Sequence, residues 1–286
     1  MKGSVKTFPT PHGELAIDTL ADAKMAAVFA RGDYHQQDTV ELLSAFVTPE
    51  KIFVDGGAHI GTIAIPLARK AARTIAYEAD ARTAEILRQN VMRNGVSAEV
   101  RQKGIGAEAG RGDILSVREG NAGAHMLAVG SGVVDIVTLD AELERFDVLK
   151  LDVEGMELSV LQGAKRILGE ARPVILFEVN LSQLRAHGTM LRALGAFFRE
   201  RNYHLYLPFR RRGELVLGAV PSVSLIALLT YPGAYLLHRT SSVFDILAIP
   251  KEESVPYPVI SAWLTIGYVM SENLRDKIRR IRKFFL

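Results

Sequence analysis

The sequence predicts an α/β protein: a doubly wound, mostly parallel sheet of seven strands, carrying a β-hairpin or loop insert. Three observations support this. Beyond residue 51, short β-prone runs alternate with amphipathic helical stretches, the pattern of parallel strands joined by crossover helices. The first run ends in FVDGGAHIG, Phe53 to Gly61, a glycine-rich turn of the kind that leads from a strand into a helix and lets backbone amides approach a ligand. With 286 residues, 48% of them hydrophobic, the chain can bury a full core.

Residues 1–50 read as an N-terminal lead-in with one helix, Gln37 to Phe46, ending before Pro49. Strands are expected near 51–55, 74–78, 98–103, 147–152, 174–179, 203–207 and 243–249. A helix from Ala81 to Asn94 places Ala84, Leu87 and Val91 on one face and stops at Asn94-Gly95. Another, Glu157 to Leu168, aligns Leu158, Leu161, Ala164, Ile167 and Leu168. Glycines and alternating stretches between Gly104 and Asp140 suggest the hairpin insert. The expected organisation is therefore a lead-in (1–50), a ligand-binding domain (51–250) and a C-terminal extension (251–286).

Composition narrows the function. A net charge of +3 with 23% charged residues announces no polyanion-binding surface, so nucleic acid is not an expected partner. The absence of cysteine excludes disulfides, thiolate nucleophiles and cysteine-bound zinc. No unbroken apolar segment follows the first lysines, which argues against a cleaved signal peptide and for a cytoplasmic protein. Leu215 to Leu237 is uncharged and long enough to span a bilayer, but Pro221, Pro232 and glycines interrupt it; a buried or membrane-grazing loop with short strands fits better. The tail, residues 272–286, puts Leu274, Ile278, Ile281 and Phe285 on one stripe among basic residues, as in a helix lying on the cytoplasmic face of a membrane or docked on the sheet.

Two cofactor classes use a glycine turn of this kind, nicotinamide dinucleotides and S-adenosyl-L-methionine. The dinucleotide fingerprint G-x-G-x-x-G is absent, and Asp55 at the strand end would repel a pyrophosphate but welcome a cationic sulfonium. Glu78, ending the second strand, suits two ribose hydroxyls, a feature both classes share. An NAD(P)-dependent oxidoreductase is the rival reading, and no Tyr-x-x-x-Lys pair stands where hydride chemistry needs it. A third is a non-catalytic membrane-surface binding protein built on the same shell.

LKLDVEG, Leu149 to Gly155, places Lys150, Asp152 and Glu154 on one face of a strand fit for burial, where each needs a partner. Asp152, Glu154, Glu178 and Asn180 all reach carboxyl ends of strands, where open α/β sheets bind ligands. Asp152 or Glu178 is the expected base or acceptor anchor, with Lys150 tuning the charge, and His59 and His125 are rival bases. Such carboxylates are compatible with Mg2+, which is not expected here. Arg210, Arg211 and Arg212 suit a phosphate or sugar acid, or a solvated loop.

FVDGGAHIGTIAI, AYEADARTAEILRQNVMRNG and VLKLDVEGMELSVLQGA together resemble the FkbM-type family of S-adenosylmethionine-dependent methyltransferases, over about Tyr34 to Glu178, with an echo in FDILAIP near 244–250. The resemblance implies a class I, Rossmann-like methyltransferase fold and O-methylation of a sugar or other hydroxyl on a glycan, glycolipid or natural product. By position it implies cofactor contacts from Asp55, Gly56, Gly57, Ala58, His59, Gly61, Glu78, Ala79, Gly104 and Asp152, with Asp55, Gly57 and Gly61 at the methionine end and Glu78 at the ribose. His59 stands where asparagine is common in the family.

Overall fold

The lead-in holds more than one helix. In the computed structural model, which describes residues 4–34, 36–116, 125–220, 243–262 and 265, β1 (Val5–Thr10) and β2 (Gly13–Asp18) form an antiparallel hairpin. α1 (Ala23–Ala30) follows, its N-cap Asp22 accepting the Met25 amide, and α2 (Gln37–Ser44) occupies the expected helical span. Leu15, Ala16 and Ile17 of β2 are buried in one apolar cluster with Phe29, Ile60, Ala64, Ile65, Leu87 and Val91. The lead-in thus packs where the glycine turn and its helix lie.

The chain divides into two units, Met1–Phe177 and Glu178–Leu286. In the first, β3 (Ile52–Gly56), α3 (Ala64–Ala68), β4 (Arg73–Tyr77), α4 (Ala81–Arg93) and β5 (Glu99–Arg101) alternate as expected. A second, four-stranded sheet interrupts them: β6 (Gly104–Ile105), β7 (Gly110–Ser116), β8 (His125–Gly130) and β9 (Val134–Val137), in the order β6-β9-β7-β8. Its β7–β8 pair is the predicted hairpin. The main series resumes with α5 (Leu139–Glu142), β10 (Val148–Leu151), α6 (Glu157–Gln162), α7 (Lys165–Glu170) and β11 (Val174–Asn180). Neighbours in the order β11-β10-β3-β4-β5 all run parallel. Phe53, Val54, Ile75, Ala76, Val148, Leu149, Ile175 and Leu176 are buried, the near-continuous apolar runs of parallel strands covered on both faces.

The second unit contains α8 (Leu181–Ala186), α9 (Leu191–Glu200), β12 (Tyr203–Arg211), β13 (Glu214–Ala219), β14 (Val243–Pro250) and β15 (Val259–Ile260). β12 pairs antiparallel with β13 and β14, and β13 pairs parallel with β15. All seven expected spans carry strand, but seven is not the number present, since β15 among others was not foreseen. The apolar run from Leu215 begins as β13; residues 221–242 and the tail 272–286 lie outside the described residues. Among the described residues no helix is long and apolar enough to cross a membrane.

Three expectations are corrected. The helix over 157–168 is two, α6 and α7, because Gly163 presses on another backbone: a Cβ there would stand 2.0 Å from the Gly106 carbonyl oxygen. The span 98–103 yields only β5, after which β6 joins the second sheet. β10 ends at Leu151, so Asp152 and Glu154 do not share a strand face with Lys150; they lie in the turn beyond it.

Candidate active site

The turn after β3 is shaped by close backbone approaches. The amides of Gly57 and Ala58 both donate to the Tyr77 carbonyl, at 3.0 and 2.9 Å, folding the turn over the end of β4. Gly57 has φ +77, and a Cβ on it would lie 1.9 Å from the Asp152 carbonyl oxygen, so only glycine fits between the two strand ends. His59 has φ 51, a left-handed conformation that Asn, Asp and His tolerate best. That is how histidine is accommodated there.

Side chains from distant segments then hold the turn. Asn90, fully buried on α4, donates to the carbonyls of Ile60 and Ala16 at 3.0 and 2.9 Å and accepts from the Ala16 amide at 2.7 Å. The Tyr34 hydroxyl donates to the Thr62 carbonyl, and the Thr62 hydroxyl donates to Gln36. Asp22, itself buried, pairs with His59 Nε2 at 3.2 Å while its other oxygen accepts from the Met25 amide at 3.0 Å. Burial works against the Asp22 charge, but His59, the Met25 amide and Lys24 hold its carboxyl below the usual range.

Glu78 stands just past β4. One oxygen accepts from the His59 amide and the other from the Asp80 amide, each at 2.9 Å. Burial pushes this carboxyl up, against the pull of His59 and the two amides. Each oxygen has further acceptor capacity, and the group is fixed in place by backbone.

Asp55 is completely buried and faces Lys150 rather than solvent: Lys150 Nζ lies 3.5 Å from Asp55 Oδ1, 3.5 Å from Asp152 Oδ2 and 3.2 Å from the Gly57 carbonyl oxygen. Among the described residues neither Asp55 oxygen accepts a hydrogen bond of good geometry. Burial raises its carboxyl, Lys150 opposes the rise and Asp152 adds to it. Asp152 is partly exposed, with 29% of its side chain accessible.

Beyond Asp152 the chain turns through Glu154, at φ 54, and Gly155, at φ 99. Val153 and Met156 anchor this turn in an apolar cluster with Leu127, Val134 and Ile136 of the second sheet, which Ala79 also joins. Glu157 accepts from the Val153 and Gly155 amides through one oxygen, at 3.3 and 3.1 Å. The second oxygen of Glu157 and one of Glu154 are buried without a hydrogen-bond partner among the described residues. Burial, then Asp152 and Glu157, push Glu154 up to about 8; burial, with Asp152 adding, pushes Glu157 up to about 7.

The structure thus brings together Asp55, Gly57, His59, Glu78, Lys150 and Asp152, all in the first unit. Gly104 opens β6, and a Cβ there would come within 2.4 Å of Leu127. Glu178 lies on β11 and opens the second unit, His125 opens β8, and Arg210 and Arg211 end β12. Among the described residues no cluster of three or more histidines and carboxylates is arranged to hold a metal ion. Asp22, Tyr34, Asn90 and Glu157 were missed from sequence. Asp22 before AKMAAVFA is a legible helix cap, but its partner His59 is not local.

Residues 55–205, more than half of the chain, match the family model of the methyltransferase FkbM domain. No curated protein matches. Among solved structures, a methyltransferase FkbM from Methylobacillus flagellatus KT is 22% identical, with a TM-score of 0.37, covering 51% of this chain and 38% of that one. The Pyrococcus abyssi tRNA (uracil-54, C5)-methyltransferase in complex with S-adenosyl-L-homocysteine is 18% identical, with a TM-score of 0.38, covering 62% and 35%. The M. jannaschii tRNA m1G37 methyltransferase is 9% identical, with a TM-score of 0.46, covering 88% and 56%. The alignments thus span between 35% and 56% of those three chains.

Proposed function

The chain belongs to the FkbM methyltransferase family, and from that premise we propose that it is an S-adenosyl-L-methionine-dependent O-methyltransferase whose acceptor is a sugar hydroxyl on a glycan, glycolipid or glycosylated natural product. The observation that carries the reading is the buried Asp55 at the end of β3, a negative charge beside a turn that only glycine fits at Gly57, with Glu78 held next to it by one backbone amide on each oxygen. A carboxylate so fixed has the acceptor capacity to take both ribose hydroxyls. The residues present fit the cofactor: Glu78 for the ribose, the turn from Gly57 to Gly61 for the methionine end, and the buried Asp55 as a negative charge behind it.

When bound, the cofactor supplies an electrophilic methyl group on a sulfonium. The chain must then align an acceptor oxygen and accept its proton. Asp152, partly exposed and paired with Lys150, would hydrogen-bond an acceptor hydroxyl. Glu154, pushed up to about 8, is matched to taking a proton near neutral pH. Its base form grows as pH rises through about 8, so the rate should rise across that range. Glu178 is kept as an acceptor-side residue on its place in β11 alone. A lipid-linked acceptor and membrane contact through residues 272–286 belong to the same proposal, argued from sequence. No observation favours the nicotinamide or non-catalytic readings.

The test is incubation of the full chain with methyl-labelled S-adenosylmethionine and an extract separated afterwards into lipid, glycan, nucleic acid and protein fractions. Label in the glycan or lipid fraction supports the proposal, the lipid fraction also supporting the membrane reading. Label confined to nucleic acid or protein overturns the acceptor class, and failure to bind S-adenosylhomocysteine overturns the cofactor.

A further inference from the structure

Asp22 lies outside the family-matched segment, in the lead-in, yet it is the only described side chain whose hydrogen bond or ion pair holds the His59 ring. Its geometry resembles that of a carboxylate that sets a histidine tautomer. One oxygen is spent on the Met25 amide as the N-cap of α1, and the other meets His59 Nε2. A buried carboxylate in that position keeps the proton on Nε2, an assignment made from the partner. In that tautomer Nδ1 presents a lone pair. The ring cannot drift, because the backbone around it is held at the Ile60 carbonyl by Asn90, at the Thr62 carbonyl by Tyr34 and at its own amide by Glu78.

We propose that Asp22 is a positioning residue for the cofactor, locking His59 in the tautomer whose Nδ1 accepts a hydrogen bond from the α-ammonium group at the methionine end. The inference rests on the cofactor assignment made above. It brings the lead-in into the cofactor site and gives the left-handed histidine a task that its backbone amide alone would not require.

The experiment is calorimetric titration of the full chain with S-adenosylhomocysteine and with its deaminated analogue, which carries hydrogen in place of the ammonium. Asp22→Asn keeps the helix cap, since asparagine caps as well as aspartate, but no longer dictates the tautomer. His59→Asn keeps the left-handed backbone and removes the ring. Each substitution should weaken S-adenosylhomocysteine by about tenfold, the scale of one hydrogen bond to a charged group. The double variant should be no weaker than His59→Asn, and all forms should bind the deaminated analogue alike, with ligand-free melting temperatures unchanged. Wild-type affinity in Asp22→Asn overturns the inference, as does an equal loss for both ligands or a loss that tracks a fall in ligand-free melting temperature. If wild type itself fails to bind S-adenosylhomocysteine, the cofactor assignment falls and takes the inference with it.

Discussion

The turns that follow β3 and β10 share a design and differ in how their polar groups are used. Each leaves a parallel strand beside the other and carries one left-handed non-glycine residue, His59 at φ 51 or Glu154 at φ 54, with a left-handed glycine soon after. In the first turn the polar groups are committed: the His59 amide to Glu78, its ring to Asp22, the Ile60 carbonyl to Asn90 and the Thr62 carbonyl to Tyr34. In the second, Glu154 and Glu157 each keep a buried oxygen without a hydrogen-bond partner among the described residues. A fully satisfied turn is preorganised to bind, whereas one holding unsatisfied carboxyls keeps groups that can still change protonation state. Lys150 joins the two, touching the Gly57 carbonyl, Asp55 and Asp152.

The comparison is tested most severely at that joint. Lys150→Met should destabilise the fold by about 3–5 kcal/mol, because it strands Asp55 as an uncompensated buried charge. Adding Asp55→Asn should recover most of the loss in urea denaturation. If the single substitution is mild, the two turns are not electrostatically joined.

Glu157→Gln sharpens the contrast within the second turn. The folded carboxyl is raised to about 7 from an ordinary 4.5. Its contribution is therefore fully present below that ordinary value and is lost as pH rises to about 7. The difference in unfolding free energy between Glu157→Gln and wild type should shift by about 3 kcal/mol in favour of the variant over that window, at roughly 1.4 kcal/mol per pH unit, and then stay level. A pH-independent difference would mean that the Glu157 carboxyl is not held protonated by burial.

Glu154→Gln should lower methyl transfer into a labelled extract by about a hundredfold, the lower range for loss of a general base. It should also remove the rise in rate towards pH 8 while S-adenosylhomocysteine affinity stays unchanged. An equal loss of affinity would merge the two turns into one binding site.

The smallest effect calibrates the backbone. Arg172, following the C-cap of α7, is left-handed at φ 50 away from both turns. Arg172→Gly should stabilise the fold by about 1 kcal/mol, the usual cost of that conformation outside glycine. A larger gain would raise the strain to be assigned to His59 and Glu154.

The chemistry legible in the sequence was the chemistry carried by short spacings. FVDGGAHIG, Glu78 and Lys150 with Asp152 could be read because strand, turn and acid are contiguous or recur at strand ends, and Ala84, Leu87 and Val91 of α4 by period. The lead-in was not legible: Ala16, Asp22 and Tyr34 matter through Asn90, His59 and Thr62, none of them nearby in the chain. The leucine beside Gly104 was not legible either, because a glycine signals close approach without saying to what. The break at Gly163 failed for the same reason, its neighbour Gly106 belonging to another segment.

The bonds between Asn90 and β2 also set an order of assembly. The Ala16 amide and carbonyl find their partner 74 residues further along the chain. During synthesis the β1–β2 hairpin leaves the ribosome before α4, so these bonds cannot form until α4 has emerged to receive it. A bulky fusion at the amino end should therefore slow acquisition of cofactor binding before it disturbs the parallel strands.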